Sequence, residues 1–184
     1  MPRVVDHDAR RRHVADCAAH LIARGGTDAA TVREVAHAAG WSTTVVSHYF
    51  RDKRELLDFT YREEAARTRQ RATAALSKDA ADVRGAVEAL LPLDAERLDG
   101  WRVNAAFWGM AVGDKAFATE QRRRVDGARR LLVDALTARG VADPEGTAER
   151  LLAAVIGVAV QAVFDPKRWS ADRQRAMLDE LLPA

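Results

Sequence analysis

Helix punctuation dominates this sequence. Residues that start helices and residues that stop them alternate along its length, and no segment sustains the apolar–polar alternation of a strand. The chain is therefore confined to an all-α fold. A first helix is expected from His7 or Asp8 to Arg24, where Gly25-Gly26 can take the left-handed C-terminal position. Thr31-Val32-Arg33-Glu34 has the spacing of a capping box, in which the Thr hydroxyl and the Glu carboxylate each take a backbone N–H. It opens a short helix ended by Ala39-Gly40. Ser42 caps another short helix through His48, and Asp52-Lys53-Arg54-Glu55 opens a long one to Leu76. Further helices are expected from Ala80 to Leu91, from the Asp94 cap to Val112, and from the Asp114 cap to Arg139. Asp143-Pro144 opens a helix to Phe164, with proline at a position where its missing N–H costs nothing, and Ser170 caps the last helix to Leu182. The sum is nine helices in two parts. A small helix-turn-helix domain over 1–55 precedes a larger bundle over 56–184, and the second part begins inside the long fourth helix.

Composition excludes some alternatives. Of the 184 residues 48% are hydrophobic, enough for a sizeable core, and 30% are charged. The longest nearly apolar run, Leu151 to Phe164, is shorter than the ~20 residues a spanning helix needs, so it reads as a buried helix. A polar, Arg-rich beginning and a single cysteine, Cys17, lead us to expect a cytoplasmic protein with no disulfide and no membrane partner. The formal charge of +2 is unevenly placed. Residues 1–55 hold nine Lys+Arg against seven Asp+Glu, and all five histidines, so the whole excess lies in the N-terminal part. A slightly basic module is what phosphates would meet.

Thr31 to Tyr49 contains two helices of about seven residues joined through Ala39-Gly40-Trp41. Glycine permits the sharp turn, and Ala36 and Ala39 let the helices cross closely. Val32, Val35, Ala36, Val45, Val46 and Phe50 are expected to face a core lined by Val14, Cys17, Ala18 and Leu21. The outward row of the second helix is then short and polar: Ser42, Thr43, Thr44, Ser47, His48 and Tyr49. Such a row suits a helix in the major groove, where hydroxyls bond base edges or phosphates and Thr methyls meet thymine methyls.

Over Arg12 to Leu57 the sequence resembles the DNA-binding domain of the TetR (tetracycline-repressor-like) family. Thr31-Val-Arg-Glu-Val-Ala-His-Ala-Ala-Gly-Trp-Ser follows one family pattern, and His48-Tyr-Phe-Arg-Asp-Lys-Arg-Glu-Leu-Leu57 follows another. The resemblance implies that Thr31 caps a helix near a phosphate, that Arg33 reaches DNA, and that Tyr49 and Lys53 clamp the backbone. Two residues depart from the pattern: Trp41 stands where a small aliphatic is usual, and Ser47 where a tyrosine is common. The operator sequence therefore cannot be borrowed from relatives. Beyond residue 80, Leu91-Pro-Leu-Asp-Ala-Glu, Trp101-Arg-Val-Asn-Ala-Ala-Phe-Trp and Leu151 to Pro166 resemble the betaine-regulator type of C-terminal domain. This implies a homodimeric regulator, a repressor released from a palindromic double-stranded operator by a small-molecule effector, with no cofactor.

The residues of the second half support parts of that picture independently. Leu151 to Val160 is apolar on every side of its helix and needs partners all round. Leu152, Val155, Ile156, Ala159 and Val163, with Met177, Leu178 and Leu181 on the last helix, are the expected subunit contacts, and Ala153, Ala154 and Gly157 would allow close approach. Trp101, Asn104 and Trp108 share a helix face, with Phe107 and Phe117 near, and Gln161 is polar within an apolar run. Aromatic walls with a few polar anchors describe many small-molecule pockets, although Asn104 and Gln161 could equally be core groups bonded to backbone. His13, Cys17 and His20 fall at i, i+4 and i+7 but lack a fourth metal ligand. Arg10-Arg11-Arg12 could add phosphate contacts, while Arg122-Arg123-Arg124 reads as a solvated face. There is no Gly-rich phosphate loop and no nucleophile elbow, so no enzyme is expected.

Overall fold

The computed structural model describes residues 6–182, which form nine helices and no strand. They are α1 (His7–Ala29), α2 (Val32–Ala38), α3 (Thr43–Tyr49), α4 (Lys53–Leu76), α5 (Val83–Leu90), α6 (Ala95–Gly113), α7 (Lys115–Ala138), α8 (Pro144–Phe164) and α9 (Ala171–Leu181). Arg3, one of the N-terminal basic residues, lies outside the described residues.

Most of the punctuation acts as its chemistry requires. Asp52, Asp94, Asp143 and Ser170 each accept a backbone N–H at the start of their helix. Gly40 and Gly140 adopt φ near +70° and +79°, and each closes a helix with paired reversed bonds. At Gly40 these run from its own N–H to His37 O (3.1 Å) and from Trp41 N–H to Ala36 O (2.9 Å). α1 breaks at Gly26 (φ 72°) and resumes for one more turn to Ala29. Two local expectations need correction. Thr31 Oγ1 does accept the Glu34 N–H (3.1 Å), but the Glu34 carboxylate pairs with the neighbouring Arg33 Nε (3.3 Å), so the box is half formed. α5 starts at Val83, not Ala80, because Asp79 takes the Ala81 N–H in a turn and Asp82 is the cap.

Two hydrophobic clusters organise the packing. The first joins Val14, Ala18 and Ile22 of α1, Val35 and Ala36 of α2, Val46 of α3 and Phe50 with Leu56, Leu57 and Tyr61 of α4. It continues into Val103 and Phe107 of α6 and Phe117 of α7, so the three-helix head is seated on the bundle. The second cluster holds Val83, Val87 and Leu90 of α5, Leu132 and Leu136 of α7, Leu151, Leu152, Val155 and Val158 of α8, and Leu178 of α9. Gln174 ties α9 down by donating to Pro92 O (3.1 Å) and Trp169 O (2.8 Å). α4 spans both regions. Its 24 residues give ~36 Å at 1.5 Å each, with Leu56 to Tyr61 in the first cluster and Leu76 against the second.

α8 is long and apolar enough by composition to cross a bilayer, with mean hydropathy 1.6 over its most apolar window. Its packing explains that apolarity otherwise. Leu151, Leu152, Val155, Val158, Ala159 and Ala162 are buried on one side. Ala153, Gly157, Val160, Gln161 and Phe164 lie along the other, and Phe164 is 79% exposed.

Candidate DNA-binding and effector sites

α3 is held to the head by Val46, which is fully buried, and by its neighbour Phe50. Side chains at 44 and 48 then point outward with 47 beside them, because a helix that buries one residue must present its opposite face, and Thr43 is exposed at the first position of the helix. Thr43, Thr44, Ser47 and His48 are exposed as expected. Ser42 is exposed too, but its hydroxyl is engaged as the α3 cap, accepting the Val45 N–H at 3.3 Å. Val45 corrects the sequence reading: it is 37% exposed, an apolar group on the outward face beside Thr44. A valine there offers methyls to a thymine methyl.

Tyr49 is also placed differently from expectation. Its side chain is buried, packed by the His7 ring at 4.6 Å and the Trp41 ring at 5.9 Å, and its hydroxyl accepts from Arg10 Nη1 at 3.3 Å. The aromatic body serves the head while the polar tip stays near the surface. Trp41 explains its own departure from the family pattern. It packs at a tilt against His13 (5.4 Å) and Tyr49, and Arg10 lies 5.9 Å from its ring centre. The charged rim consists of Arg33, whose side chain is 84% exposed, Arg12, Arg51 and Lys53. Lys53 reaches towards Asp28 at 3.7 Å, a contact too loose to prevent a phosphate from taking it. Arg11 leaves the phosphate set. Its guanidinium bonds Glu55 (3.1 Å) and lies over Phe50 and Phe59, joining α1 to α4. Thr31 is exposed at the α2 start, where a helix N-terminus favours an anion. His13 and His20 are exposed while Cys17 packs on the core, where burial pushes its thiol pKa up.

The second site is a partly open cavity of about 200 Å³ lined by α4, α6, α7 and α8, with Leu90 of α5. Trp101 and Trp108 line it as expected, with ring centres 6.0 Å apart and planes at 85°. Trp101 is fixed by its indole N–H donating to Leu90 O at 2.8 Å. Trp108 Nε1 is buried without an acceptor. Four other expected lining residues lie elsewhere. Phe107 stacks on Tyr61 (4.6 Å) and meets Phe117 (5.7 Å), so both phenylalanines belong to the seam between head and bundle. Asn104 is buried with its Oδ1 bonded by Arg124, which makes it a satisfied core group. Gln161 points outward on α8, four residues after Gly157 on the same face. In their place the cavity takes Arg69, Glu120, Gln121, Arg123, Arg124 and Ile156. Arg124, Ala128 and Leu131 fall at i, i+4 and i+7, a spacing that already puts an arginine on an apolar stripe.

The seam between the parts is polar at its edge. Asp114 caps α7 and pairs with Arg54 at the start of α4 (2.5 Å), which with the Ala116 N–H lowers its pKa to about 2. Glu64 of α4 lies beneath Gly100 of α6, and burial raises its pKa despite the neighbouring Arg67. Arg67 in turn bonds Asp16 of α1.

The expected subunit contacts divide. Leu152, Val155, Ala159 and Leu178 are 8% exposed or less, filled by their own chain, and have little surface left for a partner. Ile156, Val163 and Met177 are half-buried, and Leu181 is 45% exposed. The open apolar face of α8 is instead Ala153, Gly157, Val160 and Phe164, where a side chain added at Gly157 would meet nothing within 4 Å.

Comparison with known proteins accords with this architecture. Residues 15–58 match the family profile described as bacterial regulatory proteins, tetR family. Residues 79–184 match the C-terminal domain of BetI-type transcriptional repressors. The chain is 28% identical over 185 residues to the HTH-type transcriptional regulator PksA of Bacillus subtilis, covering 97% of this chain and 90% of that protein. It is 35% identical over 153 residues to BetI of Rhizobium meliloti, covering 82% of this chain and 74% of that protein. A transcriptional regulator from Rhodococcus sp. Rha1 superposes with a TM-score of 0.84 at 30% identity, over 93% of this chain and 92% of that one. A regulator from Saccharomonospora viridis, solved in complex with choline, superposes at 0.82 with 22% identity, over 94% of this chain and 95% of that one. The chain belongs to the TetR family of bacterial transcriptional regulators, with a C-terminal domain of the BetI type.

Proposed function

We propose that the protein is a homodimeric repressor that holds a palindromic operator through α2 and α3 and leaves it when a small molecule fills the cavity. The functional division is at residues 55 and 56, the head binding DNA and the remainder sensing and dimerising. One observation carries the reading. α4 begins beside the recognition helix and then forms the cavity wall through Ala65, Thr68, Arg69 and Ala72. A ligand that shifts this wall moves the helix on which the head is seated. The outer face of α8 supports a two-fold dimer, since an apolar stripe of this kind is seldom left in water. The choline complex of a protein with this fold supports a small-molecule occupant.

Within the head, Thr43, Thr44, Val45, Ser47 and His48 read bases, and Thr31, Arg33 and Lys53 position the phosphates. Selection of bound fragments from sheared genomic DNA tests the reading. The expected fragments share an inverted repeat with half-sites about one helical turn (~34–36 Å) apart or a multiple of it. Fragments with a single unrepeated motif, or no enrichment, would overturn it.

A further inference from the structure

The cavity has a charge pattern that specifies more than size. Arg69, Arg123 and Arg124 line it against a single carboxylate, Glu120. That carboxylate is already shared, 3.7 Å from Arg62 and 3.8 Å from Arg123. Arg69 makes no ion pair among the described residues, and Gly127 leaves room for its guanidinium, which passes 3.4 Å from where a side chain would begin. Arg124 makes no ion pair among the described residues and spends its contacts on the neutral amide of Asn104 and the ring of Tyr61, 5.5 Å away, although the buried Glu64 carboxylate lies close enough to feel its charge. Trp108 adds a buried N–H donor without an acceptor. The walls therefore offer apolar and aromatic surface together with unneutralised donors and hardly any free acceptor.

We propose that the effector is an amphipathic anion, a carboxylic acid with a compact apolar or aromatic body. The body lies between Trp101 and Trp108, and the carboxylate meets Arg69 and Arg124. This rests on the effector reading above and names its ligand class. A guanidinium binds a carboxylate in a planar, two-point fashion, whereas a cationic ligand placed between the tryptophans would face three guanidiniums. The same contacts give the anion a route to the head. Arg124 and Gln121 are cavity residues, and both engage Tyr61 of α4, the first over its ring and the second at its hydroxyl. Tyr61 stacks on Phe107, which meets Phe117, and Arg54 lies 4.8 Å above Phe117. A carboxylate that draws Arg124 from Asn104 and Tyr61 loosens the seam that fixes α4 under the head.

The test uses three isosteres that differ in charge: 3-phenylpropionate, 3-phenylpropanamide and 3-phenylpropylamine. Binding to the full chain is read from intrinsic tryptophan fluorescence, and operator affinity from anisotropy of a labelled selected fragment. The carboxylate should bind at least tenfold more tightly than the amide, with the amine weakest. Arg69→Met, at a side chain with no ion-pair partner to lose, should bring the carboxylate down to the amide's affinity and leave the amide unchanged. Arg124→Met should do the same and also reduce the carboxylate's effect on operator affinity. An amine or amide that binds as tightly as the carboxylate, or a carboxylate with no saturable signal, overturns the assignment. If the amine releases the operator and the carboxylate does not, the charge assignment fails while the effector reading stands. If the carboxylate binds preferentially without changing operator affinity, the charge assignment holds and the sensor reading fails.

Discussion

Thr44 and Lys53 sit a few residues apart and carry different kinds of information. Thr44 is exposed on the outer face of α3 with Val45 beside it, the face that the proposed function turns towards base edges. Lys53 begins α4 at the rim, where a phosphate would pass. Replacing Thr44 with Ala should change which base pairs are preferred, by ~1–3 kcal/mol at the contacted position. Lys53→Ala should weaken every sequence alike and lower the slope of log affinity against log salt by about 0.9. Anisotropy titrations over several salt concentrations separate the two, and identical effects of both changes on all sequences would refute the assignment. At this scale the sequence was legible where side chains are short. Thr44, Ser47 and His48 are outward because helical spacing from Val46 puts them there, and Thr43 is exposed as the first residue of α3. It was less legible for amphipathic side chains. Tyr49 hides its ring and Arg11 lays its guanidinium over two phenylalanine rings, because an aromatic or a delocalised cation can gain from partial burial while its polar tip keeps a partner. Periodicity alone does not say which choice such a residue makes.

Among the elements, α8 shows most clearly how much a pattern can and cannot specify. An apolar run on all sides announces two partners, and the structure supplies one of them from its own chain. Which face is which depends on where α5, α7 and α9 land, and that is a tertiary fact. Leu152, Val155 and Ala159 are therefore filled by their own chain, and Gly157, Val160 and Phe164 lie on the face left open for the proposed subunit contact. The same cause moved Gln161 from the cavity to the outside. Cap residues were legible because a cap is a local bond: Asp52, Asp94, Asp143 and Ser170 all start helices where the sequence placed them. Gly157→Arg tests the face itself. The added side chain meets open space within the protomer, so folding should be spared, with only the ~0.8–1.0 kcal/mol gain expected when glycine leaves a helix interior. A pairing face would lose its close approach. Light scattering at micromolar concentration should show a dimer for the parent chain and a monomer for the variant, with operator affinity falling accordingly. A parent monomer, or a variant dimer of unchanged stability, would remove α8 as the subunit contact.

Across the whole molecule one mechanical element, α4, joins the head to the cavity. α4 is embedded at one end in the core of the head and at the other forms a wall of the cavity, and the aromatic seam of Tyr61, Phe107 and Phe117 fixes the angle between them. The two-part organisation and the bridging helix were visible in the order of caps and stops. The seam was not, since Phe107 and Phe117 meet Tyr61 only once α6 and α7 fold back against α4. In a dimer both recognition helices must meet one face of a duplex, so a small pivot of α4 costs contacts in two half-sites at once. Coupling between two sites is reciprocal, and this permits a direct measurement. The affinity of whichever phenylpropyl compound binds best is determined by tryptophan fluorescence, with and without a saturating selected operator fragment. The operator should weaken the compound by about 5–150-fold, and the compound should weaken the operator by the same factor. Equal affinities in the presence and absence of operator would contradict this coupling, because the cavity would then bind without communicating through α4.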